Sequence, residues 1–120
     1  MAYIIKLPTF SDHRGCLTVI EKKLPFEIKR VYYIYNATTG RGGHRHKKTS
    51  QALVSVAGSC EIYVHDGKEE TTYLLQSPDQ CLILAPEDWH TMEKFSPDCV
   101  LLVLASEYFD PDDYIDEGYT

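Results

Sequence analysis

Short apolar runs separated by turn residues cover most of the 120-residue chain. From Cys60 to His65, the side chains of Cys60, Ile62 and Val64 alternate with Glu61, Tyr63 and His65, which is the period of two expected of a half-buried strand. Asp66-Gly67 then gives a strong hairpin signal. Further strands are predicted over residues 29–35, 51–57, 71–75, 80–85 and 99–105. Because no ten-residue stretch has helical periodicity and Gly and Pro punctuate the runs, the predicted fold is an all-β sandwich or barrel.

The length suits a single domain over residues 1–120, with an acidic tail at 110–120 that forms either one helical turn or an extended arm. No apolar run approaches the roughly 20 residues needed to span a bilayer, so no membrane partner is expected. The N-terminus lacks the features of a signal peptide, and the four cysteines form no C-x-x-C pair. Cys60, Cys81 and Cys99 lie in strand-like runs, as buried free thiols do. These features predict a cytoplasmic protein.

The net charge of −6 comes entirely from the C-terminal tail. Between Glu27 and Glu61 the chain has bases and no acid. A neutral body with one basic segment fits a small anionic ligand better than a nucleic acid, which needs a broad basic face. A solvated basic face without function is the alternative from charge alone. The acids of the tail are Glu107, Asp110, Asp112, Asp113, Asp116 and Glu117.

Candidate chemistry is concentrated in residues 40–48, where a Gly-rich turn precedes His44 and His46. In an extended segment these two side chains point to the same face, with Cα atoms roughly 6–7 Å apart. Such a pair can ligate a metal, or can present two titratable groups to one small molecule. A lone histidine is more often structural, but the H-x-H spacing in a basic segment favours function.

The wider spacing fits the two cupin signatures. Gly40, the two histidines, Gln51 and Gly58 match the first signature, and Pro86 with His90 resembles the second. Metal-binding cupins have a glutamate at the position of Gln51, and a neutral amide is a poor ligand for a divalent cation. The residues therefore weaken the prediction of a metal site, although three histidines can still hold zinc or iron.

Four segments, in the same order, resemble the sugar 3,4-ketoisomerases, the WxcM-like family of cupin-fold enzymes. The resemblance extends from about Asp12 to Ile115, and it implies a jelly-roll dimer with exchanged N-terminal strands that acts on dTDP-4-keto-6-deoxyglucose without a metal or other cofactor. The family also carries glutamine at the position of Gln51. The matching segments are residues 25–34, 41–48, 89–92 and 99–108.

The resemblance implies roles for individual residues. His44 and His46 are expected to be an acid/base pair, because imidazole titrates near neutrality. Tyr32 matches a tyrosine that lines the family's pocket, where it can relay protons or stabilise an enediolate; from the residues alone it would be a core aromatic. The guanidinium fork of Arg41 suits a diphosphate. The complete set of predicted substrate-binding residues is Arg41, Lys47, Arg14, His90, Gln51 and Arg30.

Two residues carry a stereochemical prediction. Relatives with arginine and histidine at the positions of Arg14 and His90 resemble the group that makes the 3-keto-6-deoxygalactose product, whereas the gluco-type relatives carry tyrosine and arginine. The chain is therefore expected to give the galacto product.

Two other functions compete with isomerisation. A cupin 3,5-epimerase acts on the same keto sugar but leaves the carbonyl in place; it is expected to have a His–Asp dyad and a tyrosine acid, and the sequence indicates no such dyad beside His44 or His46. A non-catalytic sugar- or metal-binding cupin is the competitor from another class.

The cations Arg41 and Lys47 are expected to keep the histidines in their neutral, basic form.

Overall fold

The computed structural model describes residues 1–119, so Thr120 of the predicted tail lies outside the described residues. Within residues 1–119 the chain forms twelve β-strands and one 3₁₀ turn, Pro111–Asp113, and no α-helix. The strands are β1 (Tyr3–Lys6), β2 (Thr9–Asp12), β3 (Gly15–Thr18), β4 (Arg30–Tyr35), β5 (Arg41–His46), β6 (Gln51–Ala57), β7 (Cys60–His65), β8 (Glu70–Leu75), β9 (Gln80–Leu84), β10 (Trp89–Glu93), β11 (Val100–Ala105) and β12 (Tyr114–Ile115).

Two five-stranded antiparallel sheets form a jelly-roll sandwich. One sheet has the order β1-β9-β6-β11-β4, and the other has the order β12-β5-β10-β7-β8. Apart from the β7–β8 hairpin, strands that are neighbours in these two sheets are far apart in sequence, as Greek-key connections require. The predicted all-β, cupin-type fold is confirmed. No helix within residues 1–119 has the length and apolar character to cross a membrane.

The main hydrophobic core lies between the two sheets. The alternation predicted for β7 is confirmed, because Cys60, Ile62 and Val64 are all buried. Leu101 and Val103 of β11 face them from the opposite sheet. A second cluster covers the other face of the first sheet, where the segment between β3 and β4 packs over the strands. Its buried members are Leu7, Ala52, Val54, Cys81, Ile83 and Leu104.

A bulge between β5 and β10 directs the histidines inward. His44 pairs with His90 and Gly42 with Thr91, so Gly43 is an extra residue and the register shifts. Gly42 has φ +87° and Gly43 has φ +80°, a left-handed region that favours glycine. The Gly-Gly pair before the histidines is therefore required by the backbone of the site.

The tail has both of the conformations that the sequence left open. Asp110 caps the 3₁₀ turn by accepting from the backbone N–H of Asp112, and the chain then extends into β12. Tyr114 and Ile115 of β12 pair with His46 and Arg45 of β5. The tail thus adds a strand to the edge of the sheet that carries both histidines.

Candidate active site

A cavity of about 560 Å³ opens beside β5. Its walls come from β4, β5 and β10 and from the tail, so both sheets and the C-terminal segment enclose it. The lining residues are Arg30, Tyr32, Ile34, Arg41, Gly42, His44, Met92, Phe109, Pro111, Tyr114 and Asp116. This mixture of aromatic walls and a few charged groups is typical of a small-molecule site.

The two histidines of the H-x-H motif lie on the same face of β5, as the spacing predicts. Their ring centroids are 5.2 Å apart, and the rings meet edge to face. Tyr114 packs against both of them, with its ring centroid 4.8 Å from that of His44 and 4.7 Å from that of His46. His44 lines the cavity, whereas His46 is buried one layer further in.

Both histidines are held toward the neutral state. Burial, and then the neighbouring His46, lowers the pKa of His44. Burial also lowers the pKa of His46, while its hydrogen bond to Asp113 raises it in part. The direction agrees with the sequence-based expectation, but the cause does not, because burial dominates and the contributing cation is Arg30 acting on His46. Arg41 and Lys47 are not the cause.

His90 lies beneath His44, with 5.2 Å between the ring centroids. Its exposed fraction is 1%, and burial lowers its pKa to about 4. Because the ring is neutral, Nδ1 donates to the backbone carbonyl of Asp88 at 3.0 Å. His90 is outside the cavity lining, so His44 lies between it and any occupant.

A His–Asp dyad is present, contrary to the sequence-based expectation. His46 Nδ1 lies 2.9 Å from Asp113 Oδ2. Sequence reasoning missed this pair because 67 residues separate the two side chains and Asp113 is one of six tail acids with no distinguishing neighbours. A dyad therefore does not distinguish an isomerase from an epimerase in this fold.

Tyr32 and Arg30 form the wall opposite the histidines. The guanidinium of Arg30 lies 4.4 Å from the ring centroid of Tyr32, within cation–π range, and 5.2 Å from that of Phe109. Gln51 Nε2 donates to the Tyr32 hydroxyl at 3.2 Å. Burial raises the pKa of Tyr32, so the phenol stays protonated at neutral pH and can donate a hydrogen bond.

Two predicted site residues lie away from the cavity within the described chain. Arg14 is in the β2–β3 turn, with 79% of its side chain exposed, and it pairs with Asp12 at 2.6 Å. Lys47 is exposed, follows the last residue of β5 and is absent from the cavity lining. The structure therefore brings together His44, His46, Tyr32, Arg41, Arg30, Gln51 and His90, and places Arg14 and Lys47 elsewhere.

The tail supplies the site residues that sequence reasoning did not find. Tyr114 contacts both imidazoles, and Asp113 holds one of them. The only sequence signal was Pro111, which predicted a local turn but not where the turn would dock. Among residues 1–119, no group of three or more His, Cys, Asp or Glu side chains is placed to hold a metal ion.

The Gly42→Ala substitution is expected to destabilise the protein by about 1–3 kcal/mol, because a non-glycine residue is strained in this backbone region. A Cβ at Gly42 would also lie 2.9 Å from the His90 carbonyl oxygen. Thermal unfolding measures the loss. The Gly118→Ala variant is the control, since Gly118 has no positive φ and a Cβ there meets only the Trp89 ring at 3.4 Å or more. Equal melting temperatures for wild type and Gly42→Ala would contradict the bulge argument.

Comparison with known proteins finds a family model and a relative that each match most of the chain. The model of the family described as FdtA, WxcM-like C-terminal matches residues 1–119. A TDP-4-oxo-6-deoxy-alpha-D-glucose-3,4-oxoisomerase from Aneurinibacillus thermoaerophilus is 47% identical over 117 residues, covering 93% of this chain and 84% of the relative.

Two solved structures of the QdtA 3,4-ketoisomerase from Thermoanaerobacterium thermosaccharolyticum superpose with a TM-score of 0.92. One is a histidine-to-asparagine mutant in complex with TDP-4-keto-6-deoxyglucose, 42% identical, with 97% of this chain and 87% of that chain covered. The other is a double mutant, tyrosine to arginine and arginine to histidine, in complex with TDP, 45% identical with the same coverage.

The sandwich of two sheets with a histidine of the H-x-H motif at the wall of an open cavity defines a cupin-fold protein. Within that class, the chain belongs to the FdtA, WxcM-like C-terminal family.

Proposed function

We propose that this chain is a 3,4-ketoisomerase that moves the keto group of dTDP-4-keto-6-deoxyglucose from C4 to C3. The observation that carries the proposal is a pair of imidazoles with ring centroids 5.2 Å apart, of which His44 lines a cavity of about 560 Å³ and His46 lies directly behind it. Two relatives support the substrate class. A ketoisomerase in complex with this keto sugar is 42% identical, and an enzyme named as its oxoisomerase is 47% identical.

The reaction needs two proton transfers on neighbouring carbons. A base removes the proton from C3, and O4 is protonated to give an enediol; C4 then receives a proton while O3 loses one, which leaves the ketone at C3. The two neutral imidazoles of His44 and His46 act as the acid/base pair, since burial has put both pKa values below the ordinary value. No step requires a metal.

Tyr32 stabilises the enediolate or relays protons between its oxygens. It lines the cavity opposite His44, and the amide of Gln51 holds its hydroxyl at 3.2 Å. The protonated phenol offers a hydrogen bond to an oxyanion, which is where charge develops in the reaction.

Arg41 and Arg30 bind the diphosphate of the nucleotide. Both line the cavity, and guanidinium groups match phosphate oxygens with paired hydrogen bonds. Arg30 is held by the rings of Tyr32 and Phe109, so it is preorganised for the ligand. Lys47, exposed beyond the end of β5 and outside the cavity lining, is left with a long-range electrostatic contribution.

A homodimer with exchanged N-terminal strands explains the position of Arg14. The β2–β3 hairpin exposes Phe10 and Leu17, and the outer face of β4 exposes Tyr33 and Tyr35. Two such apolar surfaces on one chain fit a second copy of it. In that assembly the hairpin brings Arg14 toward the partner's cavity. Light scattering is expected to give twice the 13.7 kDa chain mass, and a monomer would refute the assembly.

We further propose that the product is the galacto isomer. Arg14 and His90 are the same pair of residue types, arginine and histidine, that was introduced into the QdtA double mutant. His90 acts on the stereochemical outcome through His44, which it touches, rather than by contact with the sugar. NMR of fresh product is expected to show an axial C4 hydroxyl, and an equatorial one would refute this stereochemistry.

The test of function is to supply dTDP-4-keto-6-deoxyglucose in D₂O and follow the product by NMR. The expected product has its carbonyl at C3 and deuterium at C4. A product that keeps the carbonyl at C4 but inverts ring carbons would indicate an epimerase. Tight binding of the sugar with no deuterium uptake would indicate a non-catalytic module.

The free cysteines are those a reducing compartment preserves, so we also propose a cytoplasmic location.

A further inference from the structure

We propose that Asp113, carried by the C-terminal tail, is the positioning residue that makes His46 a base with a free Nε2. The inference rests on the proposed function, because it assigns the tautomer and orientation of one member of the acid/base pair.

Three donors converge on the Asp113 carboxylate. Oδ1 accepts from the backbone N–H of Lys48 at 2.8 Å, and Oδ2 accepts from the Thr49 hydroxyl and lies 2.9 Å from His46 Nδ1. The side chains of His46 and Asp113 are only 3% and 2% exposed. The 3₁₀ turn and the pairing of β12 with β5 hold the carboxylate in this position.

The carboxylate is ionised in this environment. Burial raises the pKa of Asp113, but the hydrogen bonds from Thr49, Lys48 and His46 outweigh burial and leave the pKa below its ordinary value. An ionised carboxylate has no proton to donate, so His46 Nδ1 is the donor. In the neutral imidazole the lone pair is then on Nε2.

His46 Nε2 is buried and has no hydrogen-bond partner among the described residues. The ring faces His44 on its own strand and Tyr114 in the tail. An unpaired acceptor beside His44 is what a base needs, and leaving a buried acceptor unpaired costs stability that a hydrogen-bond donor entering the site would recover. His90, held by the Asp88 carbonyl, has its Nε2 unpaired in the same way.

The Asp113 carboxylate also influences the basicity of His46 Nε2. When Nε2 takes a proton, the imidazolium is next to the Asp113 carboxylate, which stabilises the charge that burial opposes. The other charged or titratable groups that face His46 are Arg30 on β4, His44 on β5, His90 on β10 and Tyr114 in β12. Asp113 is the only acid in that set.

The Asp113→Asn variant tests the role. Its amide can donate to Nδ1, which moves the imidazole proton to Nε2, so kcat is expected to fall by about 10²–10⁴-fold while KM changes little. The Asp112→Asn variant is the matched control, because it makes the same charge change one residue away on an exposed side chain. It is expected to retain wild-type kcat. A fully active Asp113→Asn enzyme would overturn the proposal.

Nitrogen-15 NMR of the imidazole rings tests the tautomer without any assay of turnover. In the wild type, Nδ1 of His46 is expected to carry the proton, and in Asp113→Asn the proton is expected on Nε2, with the His90 signals unchanged. If the wild-type protein has no isomerase activity but shows this exchange of tautomer, the proposed function fails and the assignment of Asp113 stands. A wild-type His46 protonated at Nε2 overturns the assignment.

The Thr49→Val variant keeps the proposal falsifiable if Asp113→Asn does not fold. It removes one donor from Oδ2 and leaves the carboxylate and His46 in place. Asp113 then holds the imidazolium more strongly, so the acidic limb of the kcat/KM profile is expected to move to higher pH. A purely structural role for Asp113 predicts an unmoved profile, and that result would refute the tuning of the base.

Discussion

Replacing His46 by asparagine is expected to lower kcat by about 10²–10⁴-fold, which is what a positioned acid or base contributes. The amide keeps the hydrogen bond to Asp113 but has no basic nitrogen, so one member of the acid/base pair can no longer accept a proton. Substrate binding is expected to survive, because the diphosphate contacts are assigned to Arg30 and Arg41. The measurement is single-turnover formation of the 3-keto product, together with deuterium incorporation at C4.

The half-buried histidine His65, at the end of β7 and outside the cavity lining, is the matched control. The His65→Asn variant is expected to turn over like the wild type. Wild-type turnover in His46→Asn would remove His46 from the acid/base pair, and loss of nucleotide-sugar binding in that variant would indicate a role in binding.

Acidification is expected to destabilise the fold through His90, with a magnitude of about 3 kcal/mol between pH 7 and pH 4. The pKa of this ring is about 4 in the folded protein, compared with an ordinary value of 6.5. Between those two values the unfolded chain takes up a proton that the folded chain does not, so stability is present above pH 6.5 and is lost as the pH falls toward 4. Urea unfolding at a series of pH values measures the slope.

Other buried groups modify this slope in known directions. His44 and His46 add to the loss, because burial lowers their pKa values too. Asp88 opposes this loss of stability. Burial raises its pKa, so as the pH falls the folded protein takes up this proton before the unfolded chain does. The His90→Gln variant is expected to flatten the slope, whereas His13→Gln in the exposed β2–β3 turn is expected to leave it unchanged. An unchanged slope in His90→Gln would contradict the assignment.

The sequence predicted six of the twelve strands, those whose side chains report burial directly, and did not predict β1, β2, β3, β5, β10 or β12 as strands. Strand β6 has the predicted bounds, and β4, β8, β9 and β11 differ from prediction by one residue at one end. That His44 and His46 share one face of β5 follows from the period of two alone. These features are local, so a single window of sequence contains the information.

The parts of the site that depend on distant contacts were not predictable in this way. The His46–Asp113 pair forms because the tail docks on β5, and no local pattern distinguishes Asp113 from Asp112. Burial of His90 and the control of the histidine pKa values by burial also depend on the packing of both sheets. Arg14 was predicted from resemblance alone, and the structure places it in an exposed turn away from the cavity.

The pairing of the tail with β5 links catalytic competence to completion of the chain. Asp113 follows His46 by 67 positions, so His46 meets its carboxylate partner only after that stretch has been synthesised and the tail has docked. A truncated polypeptide without the tail has no Asp113 to hold the His46 ring and no Tyr114 at the cavity wall. Turnover is therefore a more stringent report of native assembly than secondary-structure content, and a loss of activity can precede any visible loss of the β-sheets.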